Sequence, residues 1–219
     1  ARIHNNSWGY NYQHSHLLGA YLGTSRYIDD FLWDHCDCTV VKSAGNDRDK
    51  GIKWFNTGDI PGYFPNGTHT IKDGSTAKNI ICVGATENET GTPSGEWPRS
   101  WGRNQCEADR IAIFSSLGPT HDGRIKPDVV APGDALWSVN SSYGWGGPAY
   151  QEMQGTSMSG PVVTGSSALI RQYYRTREAI SEQNIASALI KATLINGSGQ
   201  GLWDSDAIYN GFTWPNTPL

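Results

Sequence analysis

An eleven-residue stretch that begins at Gly155 constrains the fold of this 219-residue chain more than any other feature. It reads Gly-Thr-Ser-Met-Ser-Gly-Pro-Val-Val-Thr-Gly, and small and apolar residues continue it without a break. The glycine at its start lets the backbone bend and approach another segment closely. The residues after it predict a helix with Ser157 at its N-terminus and Pro161 in its first turn, where the missing N–H needs no partner. Unpaired N–H groups and the helix dipole favour developing negative charge there, so Ser157 is a candidate nucleophile if a base reaches its hydroxyl.

The alternative interpretation of this stretch is a serine-capped helix that packs through small residues. The whole stretch, however, resembles the nucleophile motif of the subtilisin-like serine proteases (subtilases), G-T-S-M-A-x-P-x-V-x-G, and only Ser159 departs from it. The G-x-S-x-G pattern of other serine hydrolases fails because position 159 is serine rather than glycine, which disfavours a non-proteolytic serine hydrolase. The resemblance implies that Ser157 is the catalytic nucleophile of a serine endopeptidase.

Strands and helices alternate along the chain, which predicts an α/β fold. Ala1–Ser7 is predicted as a buried strand, a helix follows from Ser25 as its N-cap to about His35–Asp37, and Cys38–Ser43 is the next strand. Further strands are predicted at Lys78–Thr86, at Leu136–Val139 and near Tyr150–Met153, and a last helix is capped by Ser181 and packs through Ile185, Leu189 and Ile190. The expected architecture is a doubly wound, mainly parallel sheet flanked by helices, as in the subtilases.

Asn46 follows directly on the carboxyl end of the predicted strand Cys38–Ser43, where open α/β sheets carry their ligand chemistry. An asparagine after a glycine is also a common turn residue. The Ser-Ala-Gly-Asn sequence that ends at Asn46 resembles the subtilase segment whose asparagine donates to the oxyanion. By this resemblance the catalytic residues of the chain are Ser157 and Asn46.

Two short segments resemble the subtilase strands that pair with the backbone of a polypeptide substrate. The first is the sequence Asn-Ser-Trp-Gly near the N-terminus, and the second precedes Asn46. The substrate-binding residues that this resemblance implies are Ser7, Trp8, Gly9, Ala44 and Gly45. The long connection Asp47–Asp73 looks like an insertion near this groove, and either a role in specificity or a surface decoration remains open.

The resemblance covers roughly Arg2 to Asn196 and is closest to the bacterial alkaline subtilases that carry a C-terminal β-barrel. In subtilases the triad follows the chain order Asp, His, Ser, so the first two members lie upstream of the segment that Ala1–Gly9 matches. None of the histidines here stands in the family's H-G-T-H-V context; they are His4, His14, His16, His35, His69 and His121. We therefore expect residues 1–219 to be the C-terminal part of one catalytic domain, truncated at both ends and with no second domain.

A missing base has a direct chemical consequence, because a serine hydroxyl alone is a weak nucleophile at neutral pH. The parent protein is expected to be a peptidase, with an upstream chain or segment that supplies His and Asp, and this chain alone is expected to be inactive. The alternative is a subtilase-like pseudoprotease that serves as a scaffold or a peptide-binding subunit. The resemblance also allows structural calcium, although no ligand set and no other cofactor can be assigned from these carboxylates.

Composition limits the other functions that this chain could have. The net charge is −4 and the basic residues are scattered, which disfavours a nucleic-acid partner. No apolar run approaches the roughly 20 residues of a membrane span. The polypeptide substrate is thus the main expected partner.

Cysteines and glycosylation sequons indicate the compartment. Four cysteines permit three pairings, and Cys36 and Cys38 are too close to bridge each other, so each pairs elsewhere or stays a thiol. Cys82 is expected to be a core residue in its strand. More Asn-x-Ser/Thr sequons occur than chance would give, at Asn5, Asn66, Asn88, Asn140 and Asn196. The sequons favour a secreted or extracytoplasmic glycoprotein, in which disulfides would also form, although Asn5 lies in the strand predicted as buried.

Overall fold

Four short parallel strands form the central sheet. The computed structural model describes residues 1–9, 17–48, 68–88, 110–141, 144 and 146–199. Within them the sheet has the order β1-β2-β3-β4, formed by Ile3–Asn6, Thr39–Ser43, Ile81–Thr86 and Val129–Pro132. Every neighbouring pair is parallel, so the carboxyl ends of the strands meet at one edge. The predicted α/β class is confirmed.

Three helices of the described ranges cover this sheet: α1 is Gly23–Asp34, α2 is Thr156–Thr176 and α3 is Ser187–Gly197. Side chains alternate across β2 and β3, because successive residues of a strand point to opposite faces. Val40 and Cys82 pack with Leu32 of α1 on one face. On the other face Val41 packs with Val163 of α2. Two buried apolar clusters therefore enclose the sheet from both sides, as parallel sheets require.

A separate two-stranded antiparallel sheet joins β5, Leu136–Val139, to β6, Tyr150–Met153. Both strands were predicted from the sequence, and their bounds are confirmed. The hairpin lies on the chain directly before α2. No helix within the described ranges combines the length and the apolar character that a membrane crossing requires.

Three local predictions about helix ends were wrong. Helix α1 begins at Gly23, and Ser25 is buried inside it with its Oγ 2.7 Å from Asp73 Oδ1. Ser181 precedes a short 3-10 turn, Glu182–Asn184, and α3 begins only at Ser187. Pro161 lies in the second turn of α2 rather than the first. In the first case a tertiary partner, the Asp73 carboxylate, satisfies the serine that local propensity favours as a cap.

The strands also differ in detail from the predictions. β1 is an edge strand in the described sheet, and His4 and Asn5 on it are exposed rather than buried. The strand predicted at Lys78–Thr86 is shorter and begins at Ile81. Most of the predicted connection Asp47–Asp73 lies outside the described residues.

The three described cysteines, Cys36, Cys38 and Cys82, are free thiols. Cys82 is fully buried in β3, as predicted for a core residue, and burial raises the pKa of its thiol to about 12. Cys106 lies outside the described residues. The predicted disulfides are therefore not formed among these three positions.

Candidate active site

The sequence-predicted site residues lie together at the carboxyl edge of the sheet. β1 and β2 are neighbours, with Asn6 paired to Lys42. Ser7–Gly9 leaves β1 and Ala44–Asn46 leaves β2 at this same edge, because parallel strands end side by side. The N-terminus of α2 joins both segments through hydrogen bonds of Ser157 and Thr156.

Ser157 is the second residue of α2 and is tied to Ser7 in two directions. Its hydroxyl donates to the carbonyl oxygen of Ser7 at 3.2 Å. In return, the hydroxyl of Ser7 donates to the carbonyl oxygen of Ser157 at 2.9 Å. In an ordinary helix the N–H of residue 161 would donate to that carbonyl, but Pro161 has none. Ser7 thus supplies the hydrogen bond that the proline removes.

The side-chain amide of Asn46 has a defined orientation. Its Oδ1 accepts from the backbone N–H of Thr156 at 3.0 Å and from the Thr156 hydroxyl at 2.8 Å. A backbone N–H can only donate, so the amide oxygen must lie at this end and the NH₂ group at the other. A Cβ atom at Gly155 would lie 3.0 Å from Nδ2, and Gly155 has φ of 142°. The donor end of Asn46 therefore lies against the glycine that precedes the nucleophile.

Thr156 links the Asn46 segment to helix α2. Its Oγ1 accepts from the backbone N–H of Gly45 at 3.2 Å while it donates to Asn46. The backbone N–H of Gly155 donates to Gly133 at 2.8 Å, which fixes the start of α2 against the end of β4. Sequence reasoning missed the role of Thr156, although its position inside the Gly-Thr-Ser motif was the available signal.

A buried lysine contacts the Trp8 segment through its ammonium group. Lys42 is fully buried in β2, and its ammonium donates to the carbonyl oxygen of Trp8 at 2.6 Å. The same ammonium lies 4.0 Å from the centroid of the Trp8 ring. Burial lowers the pKa of Lys42 to about 8, because the charged form loses solvation. The signal in the sequence was a single charge in an otherwise uncharged strand, Thr-Val-Val-Lys-Ser.

No histidine of the described ranges hydrogen-bonds the Ser157 hydroxyl, whose hydrogen bond goes to Ser7. His35 is the C-cap residue of α1, the helix-end position predicted for it. The ring centroids of His69 and His121 are 6.0 Å apart. The pKa of His69 is lowered mainly by its burial and to a smaller extent by the charge of the neighbouring His121. His14 and His16 lie outside the described residues.

A metal centre is also missing from the part of the chain that the structure describes. Within it, no three His, Cys, Asp or Glu side chains cluster closely enough to hold a metal ion. The calcium that the resemblance allows thus has no ligand set among these residues. The arrangement built by Ser157, Asn46 and Thr156 offers a hydroxyl and oriented N–H donors, which are the groups that acyl transfer uses.

Two of the curated relatives are named as proteases. The chain is 31% identical to a C5a peptidase of Streptococcus pyogenes serotype M3 over 74% of its length. It is 26% identical to a serine protease/ABC transporter B family protein, tagA, of Dictyostelium discoideum over 90% of its length. The chain spans only 12% and 15% of these two proteins.

Solved structures resemble the fold. A cold-adapted subtilisin-like serine proteinase matches with a TM-score of 0.50 and 16% identity, over 90% of this chain and 54% of that one. Sphericase matches with a TM-score of 0.50 and 20% identity, over 89% of this chain and 47% of that one. At these identities the likeness extends to the fold alone. The sequence profile of the Subtilase family, in contrast, matches residues 1–211, and the chain therefore belongs to the subtilase family.

Proposed function

We propose that this chain forms part of a serine endopeptidase in which Ser157 attacks the scissile carbonyl and forms an acyl-enzyme. The observation that carries the proposal is the orientation of Asn46. Thr156 holds the amide oxygen, so the NH₂ end is directed away from Thr156 and lies beside Gly155. This amide and the backbone N–H of Ser157 would donate to the oxyanion that develops during attack. The N–H at the second position of a helix has no acceptor four residues back within the helix, which leaves it available.

The substrate would bind as an extended strand along Ser7–Gly9 and Ala44–Gly45. Both segments extend past the ends of neighbouring parallel strands, so an added polypeptide could hydrogen-bond to their backbone while one of its side chains enters the space between them. The hydroxyl of Ser157 points to the Ser7 carbonyl. It would have to turn from this acceptor to a general base before attack.

His and Asp of the triad would come from polypeptide upstream of this chain. Two features of the described residues support this proposal. β1 lies at an edge of the sheet, so its outer backbone groups can accept another strand. On α2, Val162, Leu169 and Tyr173 are 43%, 69% and 52% exposed, an apolar surface that further polypeptide could cover. Without that segment the 219-residue chain would have no activated nucleophile.

The alternative function is a pseudoprotease that binds peptides without cleaving them. It is favoured by one observation: the Ser157 hydroxyl is bonded to a backbone carbonyl and to no histidine of the described ranges. The retained Asn46–Thr156 contacts favour the protease instead, because a peptide-binding scaffold has no use for an oriented oxyanion donor. The two functions differ in one measurable property, the reactivity of Ser157.

Fluorophosphonate labelling of the full-length protein from its native source tests the proposal. The probe reacts with activated serines, and peptide mapping identifies the labelled residue. Labelling at Ser157 that is lost in Ser157→Ala is the expected result. An unlabelled protein beside a labelled authentic subtilase would contradict the protease and leave the pseudoprotease.

We also propose that the protein is secreted and glycosylated. Asn196 on α3 is exposed and carries a sequon, whereas Asn140 is only 8% exposed. A glycan would be expected at Asn196 before Asn140. Mass mapping of glycopeptides from the native protein checks this order, and glycan at Asn140 alone would contradict it.

A further inference from the structure

A lysine side chain lies between the two segments proposed to pair with the substrate. The backbone N–H of Lys72 donates to the carbonyl oxygen of Ala44 at 3.1 Å, which brings residue 72 beside the second segment. A Cβ atom at Gly9 would lie 3.2 Å from Lys72 Cδ, and one at Gly45 would lie 3.3 Å from the same atom and 2.9 Å from Cγ. A single methylene of Lys72 thus lies against the positions that a side chain would take at the glycines on both sides of the proposed groove.

An ion pair holds the lysine in this position. Lys72 Nζ lies 3.1 Å from Asp47 Oδ2, and the two side chains are only 14% and 7% exposed. Asp47 is fixed in turn, because its backbone N–H donates to Ser116 Oγ at 3.1 Å while the Ser116 N–H donates to Gly45 at 2.9 Å. Removing a partner from a pair buried to this degree is costly, so the Lys72 stem is not free to swing out.

We propose that Lys72 restricts the substrate residue whose carbonyl Ser157 attacks to small side chains. The proposal rests on the protease function above and names the substrate class of that site. A substrate strand that lies along Ser7–Gly9 and Ala44–Gly45 directs a side chain into the gap between these two segments. The methylenes of Lys72 already occupy that gap, so a methyl or hydroxymethyl group fits and a larger side chain must displace the lysine from Asp47. Because Asp47 neutralises the ammonium, an acidic side chain gains little there.

Peptide hydrolysis by the full-length protein tests the proposal. Two fluorogenic peptides that differ only in Ala or Phe before the scissile bond are compared by kcat/KM. We expect Ala to be preferred over Phe, since one mismatch in the size of a pocket changes the ratio by about 10- to 200-fold. The Lys72→Ala/Asp47→Ala double variant opens the gap without leaving a buried carboxylate unpaired. It should raise the Phe-to-Ala ratio by about 10-fold or more.

Two further variants separate volume from charge. Lys72→Met keeps most of the stem and removes the ammonium, and it should retain the preference for Ala. Lys78→Ala removes an exposed lysine that lies before the amino end of β3, away from the proposed groove, and serves as the control. A third peptide, with Glu before the scissile bond, reports on attraction to the ammonium.

The outcomes distinguish the two proposals. An unchanged Phe-to-Ala ratio in the double variant, with Ser157 still labelled by fluorophosphonate and peptides still cleaved, overturns the role of Lys72 alone. A preference for Glu that disappears in Lys72→Met overturns it as well, because recognition would then be electrostatic. If the unaltered protein shows neither labelling nor hydrolysis, the protease function is overturned, and the proposed selectivity is overturned with it.

Discussion

Ser7 and Ser157 are joined by two hydrogen bonds that run in opposite directions across 150 residues of sequence. One bond fixes the hydroxyl of the candidate nucleophile, and the other satisfies the carbonyl that Pro161 leaves without a helical donor. The segment proposed to bind substrate and the residue proposed to attack it are thereby positioned by the same contact. A change to either serine should therefore affect both the proposed substrate-binding segment and the candidate nucleophile.

Replacing Ser7 by alanine should destabilise the start of α2. The Ser157 carbonyl would lose its hydrogen bond, at a cost of about 1 kcal/mol in the free energy of unfolding. In a Pro161→Ala background the new N–H can donate to that carbonyl, so the same replacement should cost less. Urea unfolding of the two single variants and the double variant measures this coupling.

The control for this cycle is Ser166→Ala, which removes an exposed α2 hydroxyl that donates to Val162. It should change stability by less than Ser7→Ala does. If Ser7→Ala costs the same with and without the Pro161→Ala change, the proline and the Ser7 hydroxyl act independently.

Asn46→Asp should remove the oxyanion donor while it keeps the contacts to Thr156. A carboxylate still accepts from the Thr156 N–H and hydroxyl, but it offers an acceptor where the NH₂ group was. We expect the rate of peptide hydrolysis by the full-length protein to fall by about 10²–10³-fold, the range known from removing one such donor in subtilisin itself. Thermal unfolding of the variant reports whether the fold is kept, and an unaltered rate would exclude Asn46 from the oxyanion site.

The carboxyl edge of the sheet could be predicted from the sequence because its signals are local. The Gly-Thr-Ser stretch, Ser-Ala-Gly-Asn and Asn-Ser-Trp-Gly each carry their own pattern, and parallel strands bring their ends together. Chemical roles followed from the resemblance of these stretches to one family. The bounds of β5 and β6 could also be predicted from short local segments.

The contacts that could not be predicted join residues far apart in the chain. Ser25 was predicted as a helix cap from its neighbours, whereas its hydroxyl bonds to Asp73, 48 residues away. The pairing of Lys72 with Asp47 depends on how the chain returns to the groove, which no local pattern encodes. Propensity is a weak guide wherever a tertiary partner competes.

Ser159, the position that departs from the family motif, should tolerate alanine. Its side chain is fully buried, and its hydroxyl donates back to the Thr156 carbonyl at 3.0 Å within the helix. Ser159→Ala removes the donor and leaves no buried donor unpaired, so the change in unfolding free energy should stay within about 1 kcal/mol.

Ser159→Val tests the space around the same site. A Cβ atom at Gly133 would lie 3.2 Å from the Ser159 Cβ, so there is little room for additional methyl groups at this contact. Overpacking should cost about 1–3 kcal/mol, more than the alanine variant does. Urea unfolding compares the two, and a valine variant as stable as the parent would contradict the tight packing.

The buried ammonium of Lys42 should make stability rise with pH. Its pKa is lowered from 10.5 to about 8 in the folded protein, where Lys72 also disfavours the charge while Asp73 and Cys82 favour it. Below the folded pKa the lysine is charged in both states, and the cost of burying the charge is fully present. Between the folded and the unfolded pKa only the unfolded chain keeps the proton, so this cost is relieved as pH increases and is gone above the unfolded pKa.

Lys42→Met removes this titration and so isolates it. The free energy of unfolding of the variant minus that of the parent should fall by roughly 2–3 kcal/mol between about pH 7 and about pH 10. Urea unfolding at several pH values measures the difference, and Lys78→Met, which removes an exposed ammonium, is the control. A difference that does not change with pH would mean that Lys42 keeps its proton throughout. The Trp8 carbonyl and ring would then compensate fully for the burial of the charge. Lys42 would in that case stabilise the Ser7–Gly9 segment more than the lowered pKa implies.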